Sequence, residues 1–287
     1  MDLTADNTAI VLDSTADLPD AAQRHPSWRV VPLYVRFGDE LYRDYVDIKP
    51  SEFYRRLRAS TQQPRSSQPS PGDFGNAIAE LGDYARVLIL TLSARLSGTY
   101  DSARAAAEAD PSGRARAFDS GFVSGAIVLL AEAIQRRLDG GTDDEEVTEL
   151  VERFRQDARF LFTLDTLEYL VRGGRAGRAA ALAGSLVAVK PILEVTGGEI
   201  VPLRRVRGRA RSFAELERTF VRETEDDSSL RVGLVHADAE RELEELGARL
   251  RAARPSASLD FQGTFGPVLG TNAGPGAIAV CWYRDAR

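Results

Sequence analysis

Short apolar runs alternate with longer amphipathic stretches through the first half of the chain. Thr8 to Leu12 is apolar and ends in Asp13-Ser14-Thr15, the pattern of a buried strand whose carboxyl end turns into a loop. Val30 to Val35 predicts a second strand after a short helix that follows Pro19, and Pro32 places it near an edge or at a bulge. A helix is expected over Ser51 to Arg58. Ser60 to Gly72, rich in Ser, Gln and Pro, should be irregular up to the helix start Ser70-Pro71-Gly72-Asp73. Arg86 to Leu92 and Ala115 to Asp119 read as strands, with helices from Ser97 to Ala109 and to about Arg137 after them. Thr142-Asp143-Asp144-Glu145 should cap a further helix before the strand Phe160-Leu161-Phe162. Strands and helices in alternation call for parallel pairing through right-handed crossovers.

The second half is patterned differently. Ile192 to Val195 and Ile200 to Leu203, joined by Thr196-Gly197-Gly198, predict an antiparallel hairpin. Helices are expected after Ser212 and from Ala239 to Arg251, and strands at Arg231 to Val235, Ser258 to Phe261 and Ala277 to Tyr283. The expected fold is α/β in two lobes. Residues 1–162 should form an N-terminal domain on a mostly parallel sheet with flanking helices, and residues 163–287 a C-terminal domain on a mixed sheet.

Composition narrows the function classes. Over 287 residues the net charge is −6, which gives no general attraction to nucleic acid or anionic lipid. No run approaches the ~20 apolar residues of a membrane span, and the acidic start Met1-Asp2-Leu3-Thr4-Ala5-Asp6 is unlike a signal peptide, so the cytoplasm is the expected location. A single cysteine, Cys281, in an apolar run excludes an internal disulfide, and two histidines, His25 and His236, leave little for metal binding or general-base catalysis. No cofactor is expected.

Four segments carry candidate chemistry. Leu96-Ser97-Gly98-Thr99-Tyr100 stands where a strand gives way to a helix. Ser97 there either caps the helix or, with free amides beside it, receives an anion. Ser66-Ser67-Gln68-Pro69-Ser70 offers hydroxyls to a carboxylate or phosphate, or to its own turns. Gly266 to Gly276, with four glycines and two prolines, should be a loop of small side chains whose polar members are Thr271 and Asn272. Arg204 to Arg211 is a basic patch, either a solvated face or a docking surface for an acidic partner, a phosphate or a nucleic acid. Asp13 at a strand end also suggests a phosphatase-like hydrolase, although the second Asp of that chemistry is replaced by Thr15. A serine hydrolase at Ser97 would want Gly where Arg95 stands and a histidine base.

In order along the chain, Asp13-Ser14-Thr15, Val31-Pro32-Leu33, Ser67-Gln68-Pro69-Ser70, Leu96-Ser97-Gly98-Thr99-Tyr100, Phe118-Asp119-Ser120, Gly173-Gly174-Arg175, Lys190-Pro191, Val206-Arg207 and Gly266-Pro267-Val268 with Gly274-Pro275-Gly276 resemble the DegV family of fatty-acid-binding proteins, binding subunits of bacterial fatty acid kinase. The resemblance implies no catalysis by the chain itself. It implies one bound long-chain fatty acid such as palmitate, stearate or oleate, presented to the kinase's ATP-binding subunit for phosphorylation. Phospholipid synthesis would use the product, nucleic acid would have no part, and transient membrane contact is allowed. On this resemblance Ser66 (a Thr in the family), Ser97 and Asn272 (a His in some members) hold the carboxylate. Gly98, Thr99 and Thr271 support it, and Arg207 engages the kinase. Phe160 to Phe162 and Ala179 to Val189 are candidate walls for the acyl chain.

Overall fold

The computed structural model describes residues 1–182 and 189–286. Four parallel strands form the first sheet in the order Trp28–Val31, Thr8–Asp13, Arg86–Thr91, Ala115–Asp119. Every residue of Thr8–Asp13 is buried, because helices cover both faces of this sheet. Ala9, Val11 and Ile89 pack under the helices Pro71–Glu80 and Thr99–Ala109. Ile10, Leu12, Leu88 and Leu90 face the helix Gly125–Gly140.

The second sheet is mixed. Its order is Glu199–Arg207, Val189–Thr196, Arg159–Thr163, Ile278–Arg284, Leu230–His236, Ser258–Thr264, antiparallel throughout except for the last pair. Helices Arg209–Glu223 and Glu240–Ala253 cover one face. Helix Gly125–Gly140 covers the other and is therefore sandwiched between the two sheets. That explains why its first turns, Gly125 to Ala131, are apolar on all sides. A Cβ on Gly125 would stand 2.7 Å from the Phe261 ring, so the bare backbone sets how closely the helix approaches the second sheet. The second sheet already includes Arg159, and the lobe division we propose, near residue 163, falls at the end of its first strand.

Several expected boundaries move. The strand expected over Val30 to Val35 is two strands. Pro32 ends the first sheet's edge strand at Val31, and Tyr34–Phe37 begins a separate three-stranded antiparallel sheet, ordered Glu40–Arg43, Tyr34–Phe37, Arg65–Ser67. Part of the stretch read as irregular is thus a short strand, and it carries Ser66. The loop expected over Gly266 to Gly276 contains the helix Pro267–Ala273. Pro267 opens it, and the Thr271 hydroxyl and Asn272 amide bond back to the Pro267 and Val268 carbonyls. Gly270 lets this helix lie against Phe53 and Tyr54, which a Cβ would strike at 2.6 and 2.7 Å. Asp143, rather than Thr142, caps its helix by accepting from the amides of Glu145 and Glu146. Helix Arg209–Glu223 begins ahead of the expected Ser212. Among the described residues no helix is long and apolar enough to cross a membrane.

Three aspartates, Asp13, Asp17 and Asp44, are buried in the first lobe, and Asp17 ties it to the loop before Pro267. Asp17 accepts from the Gly266 amide at 2.8 Å, from the Tyr45 hydroxyl at 3.0 Å and from the Ser124 hydroxyl. Asp44 accepts from Ser14, whose own hydroxyl oxygen takes the Leu33 amide. Burial pushes Asp13 up to about 6 and Asp17 to about 7, and raises Asp44 well above its usual range. A carboxyl raised in the folded state binds its proton more tightly there than in the unfolded chain. Its stabilising contribution is full below the ordinary value of 3.8 and is lost as pH rises through the folded value. The thermal midpoint should therefore fall from about pH 5 to about pH 8, by about 5 °C or more. Asp17→Asn should flatten that slope, and a midpoint that climbs over the same interval contradicts the assignment.

Candidate functional site

The loop after Arg86–Thr91 is fastened by two carboxylates at neighbouring strand ends. Asp13 takes the Leu92 amide at 2.6 Å while holding the amide and hydroxyl of Thr15. Asp119 takes the amides of Ala94 and Gly121 and pairs with Arg155. From the second lobe, the turn at Gly197-Gly198 reaches over this loop. The Ser93 hydroxyl donates to the Gly198 carbonyl at 2.7 Å, and Arg95 pairs with Glu199. Ser97 is thereby set at the junction of the lobes. Its hydroxyl lies 2.9 Å from that of Thr99, and its oxygen accepts weakly from the Thr99 amide at 3.3 Å. The helix itself begins at Thr99 with Gly98 at the cap, one residue later than the capping reading of Ser97 expected.

Ser97 opens onto a cavity of about 300 Å³ between the lobes. Its walls are mostly apolar: Leu33, Leu92 and Val123 from the first lobe, Phe160, Phe162 and Val195 from the second sheet. Strand alternation explains why Phe160 and Phe162 face it while Leu161 joins the core on the opposite face. Ser66, Ser97 and Asn272 all line this cavity, so one strand, one loop and one helix bring the three expected head-group residues to a single space. The Asn272 amide donates to the Val268 carbonyl at 3.2 Å, which leaves its second hydrogen available. Its oxygen is buried without a hydrogen-bond partner among the described residues. It rests on Gly173, where a Cβ would come within 2.2 Å of that oxygen.

The supporting residues divide. Gly98 and Thr99 lie behind Ser97 and are not cavity walls; Gly98 receives the Gln68 side chain, which a Cβ would strike at 2.2 Å. Thr271 is buried, with its hydroxyl bonded to the Pro267 carbonyl, and it borders an adjoining polar cavity. Of the two candidate acyl-chain walls, Phe160 and Phe162 line the cavity. Residues 183–188 of the Ala179–Val189 stretch lie outside the described residues. Arg207 is exposed on the outermost strand of the second sheet and lines neither cavity.

The residue that sequence reasoning missed is Arg175. It borders both the apolar and the polar cavity, with Nη1 on the Gly173 carbonyl at 2.6 Å and Nε on the Leu96 carbonyl at 3.3 Å. Its signal was the pair of glycines ahead of it, noted only as a motif. Gly174 has a φ of +72° and turns the chain so that Arg175 reaches back toward the Leu96 loop. A cation therefore stands where neutral donors alone were expected.

The catalytic alternatives lose their geometry. Asp13 is fully buried, its carboxylate accepts three hydrogen bonds and it lines neither cavity, so it is out of reach of a substrate. Its role is to order the loop that carries Ser97. His236 is held by the Ala239 amide and the Thr264 hydroxyl; His25 pairs with Glu132 and stacks on Trp28. Neither lines the cavity, so Ser97 has no histidine base.

The DegV family, described as one of uncharacterised proteins, matches residues 7–285. The chain belongs to the DegV family. A Thermotoga maritima relative named fatty acid-binding protein is 35% identical, with 94% of this chain and 95% of that protein covered. The solved structure of a DegV family protein from Thermus thermophilus, described by its fatty acid binding, has a TM-score of 0.90 at 32% identity over 97% of this chain and 99% of its own. A stearic-acid-binding protein from Eubacterium ventriosum superposes with a TM-score of 0.88 at 25% identity, over 97% of this chain and 98% of its own. These likenesses give the DegV fold, with its parallel first sheet and mixed second sheet.

Proposed function

We propose that this chain binds one long-chain fatty acid, such as palmitate, stearate or oleate, and presents its carboxylate to the ATP-binding subunit of a fatty acid kinase for phosphorylation to acyl phosphate. The observation that carries this reading is the cavity: apolar walls from both lobes end at one place in hydroxyl, amide and guanidinium groups. The relatives described above, named for fatty acid binding, support the ligand class.

The energetics fit an amphiphile. Each buried methylene contributes about 0.8 kcal/mol, so the fifteen non-carboxyl carbons of a C16 acid give about 12 kcal/mol before losses of motion. The acyl chain supplies affinity; Ser66, Ser97 and Asn272 fix the head group. Arg175 favours its ionised form. A carboxylate carries no proton to remove before it attacks, so phosphorylation here needs no general base, in keeping with a cavity that no histidine lines. In the reaction, a carboxylate oxygen forms a bond to the γ-phosphorus of ATP. The bond from that phosphorus to the bridging oxygen breaks, and its electron pair leaves on ADP. The kinase supplies the nucleotide and its metal, and this chain acts as the lipid-bearing subunit.

Arg205, Arg207 and Arg211 are exposed and have no carboxylate partner among the described residues, whereas Arg204 pairs with Glu215 and Arg209 with Asp165 and Glu242. Exposed arginines without carboxylate partners suit an acidic kinase surface. The proposed setting is the cytoplasm, with transient membrane contact for lipid exchange and phospholipid synthesis as the consumer of the product. The test is acyl phosphate formation from bound palmitate and ATP with the kinase subunit, trapped as the hydroxamate. Arg207→Glu should slow it about tenfold while leaving lipid occupancy intact. An unchanged rate removes Arg207 from the kinase contact, and no acyl phosphate with any kinase subunit leaves lipid carriage alone.

A further inference from the structure

The apolar cavity does not end at the head-group residues. A second cavity of about 760 Å³ shares Ser66, Arg175 and Asn272 with it, so the two meet where the carboxylate would lie. This outer space is polar. Arg36, Arg65, Arg172 and Arg175 line it, together with Gln62 and Gln63, and among the described residues no carboxylate lines it. Arg172 is neutralised by Glu168. Arg36, Arg65 and Arg175 have no carboxylate partner among the described residues.

Arg36 and Arg65 are also direct cross-strand partners in the small antiparallel sheet, one residue away from the Val35–Ser66 pair. Like charges opposite one another on adjacent strands destabilise the pairing. Here the register sets two arginines opposite each other at the wall of the outer cavity, in a protein whose net charge is −6. A single carboxylate, already met by Ser66, Ser97, Asn272 and Arg175, leaves that positive charge unmatched. A phosphoryl group brings up to two negative charges and three acceptor oxygens to the same spot, and guanidiniums pair with it bidentately.

We propose that this arginine-lined vestibule is a phosphate subsite, in which Arg36 and Arg65 bind the phosphoryl group joined to, or being delivered to, the lipid carboxylate. The inference rests on the fatty-acid reading and names a further anion for the same site.

The test is calorimetric titration of the full chain with palmitate, with hexadecyl phosphate (a stable stand-in for acyl phosphate), and with inorganic phosphate or ATP alone. Wild type and Arg36→Gln/Arg65→Gln are compared. Hexadecyl phosphate should bind wild type more tightly than palmitate does. The double variant should lose about tenfold or more on hexadecyl phosphate while palmitate changes less than about twofold. Parallel loss on both lipids, or no loss on either, overturns the subsite. A response confined to hexadecyl phosphate assigns the phosphate to the product, and one shown by inorganic phosphate or ATP alone assigns it to the donor. If wild type binds neither lipid, the fatty-acid reading fails. The subsite then stands if ATP or phosphate binds wild type but not the double variant, and falls if neither binds.

Discussion

Removing both hydroxyls at the lobe junction, as Ser66→Ala/Ser97→Ala, should cut phosphorylation of bound lipid by about a hundredfold or more while leaving most lipid binding in place. The two effects separate because the two ends of the ligand are held differently. A hydrogen bond to a charged group contributes about 1.5–3 kcal/mol, so losing two from a carboxylate that must be aimed at a phosphorus costs at least two decades in rate. The acyl chain keeps its contacts with Phe160, Phe162 and Val195, and these carry the affinity. Acyl phosphate yield and lipid stoichiometry measured on the same preparation check the split. Equal loss of both would mean that the hydroxyls hold the lipid as a whole, and an unchanged rate would mean that neither touches the carboxylate.

The second large effect comes from filling the cavity. Ala273 lies on its wall at the end of the helix Pro267–Ala273 and is only partly buried, so a larger side chain there can enter the open space without displacing core. Ala273→Trp should remove room for about four methylenes, worth roughly 3 kcal/mol, and so weaken palmitate binding at least a hundredfold. The thermal midpoint should change little, which distinguishes blocked space from a damaged fold. Retained stoichiometric binding by a folded Ala273→Trp protein would place the acyl chain elsewhere.

Much of this arrangement is legible in the sequence because local chemistry and tertiary role agree. Thr8 to Leu12 is apolar throughout because helices cover both faces of the strand it forms, and Ser70-Pro71-Gly72-Asp73 does form its capping box. Ser66, Ser97 and Asn272 could be named without coordinates because the motifs around them resemble the DegV family; on their own chemistry they read equally as caps and turns. What placed them together could not be named, since it depends on contacts between distant segments. Asp13 and Asp119 order the Leu92–Ser97 loop from two other strands, and the turn at Gly197-Gly198 closes over it from the second lobe.

The misreadings have physical causes as well. Glycines between Gly266 and Gly276 look like loop, but Gly270 is there so that a short helix can press against Phe53 and Tyr54. Helix propensity is overruled there by packing, as it often is for short elements. Pro32 does end an edge strand, as expected; local patterning does not show that the residues beyond it belong to a second sheet. Arg175 was passed over because its importance lies in where Gly174 turns it. Arg36 and Arg65 were invisible as a pair, because a register between two strands, one of them only three residues long, brings them opposite each other.

The measurement that tests the central claim most directly is native mass spectrometry of the purified chain, followed by denaturation and identification of whatever is released. The account predicts one long-chain fatty acid per chain, or full uptake of one palmitate or oleate by any empty fraction. A clean ligand-free mass that stays unchanged after incubation with both acids would contradict it.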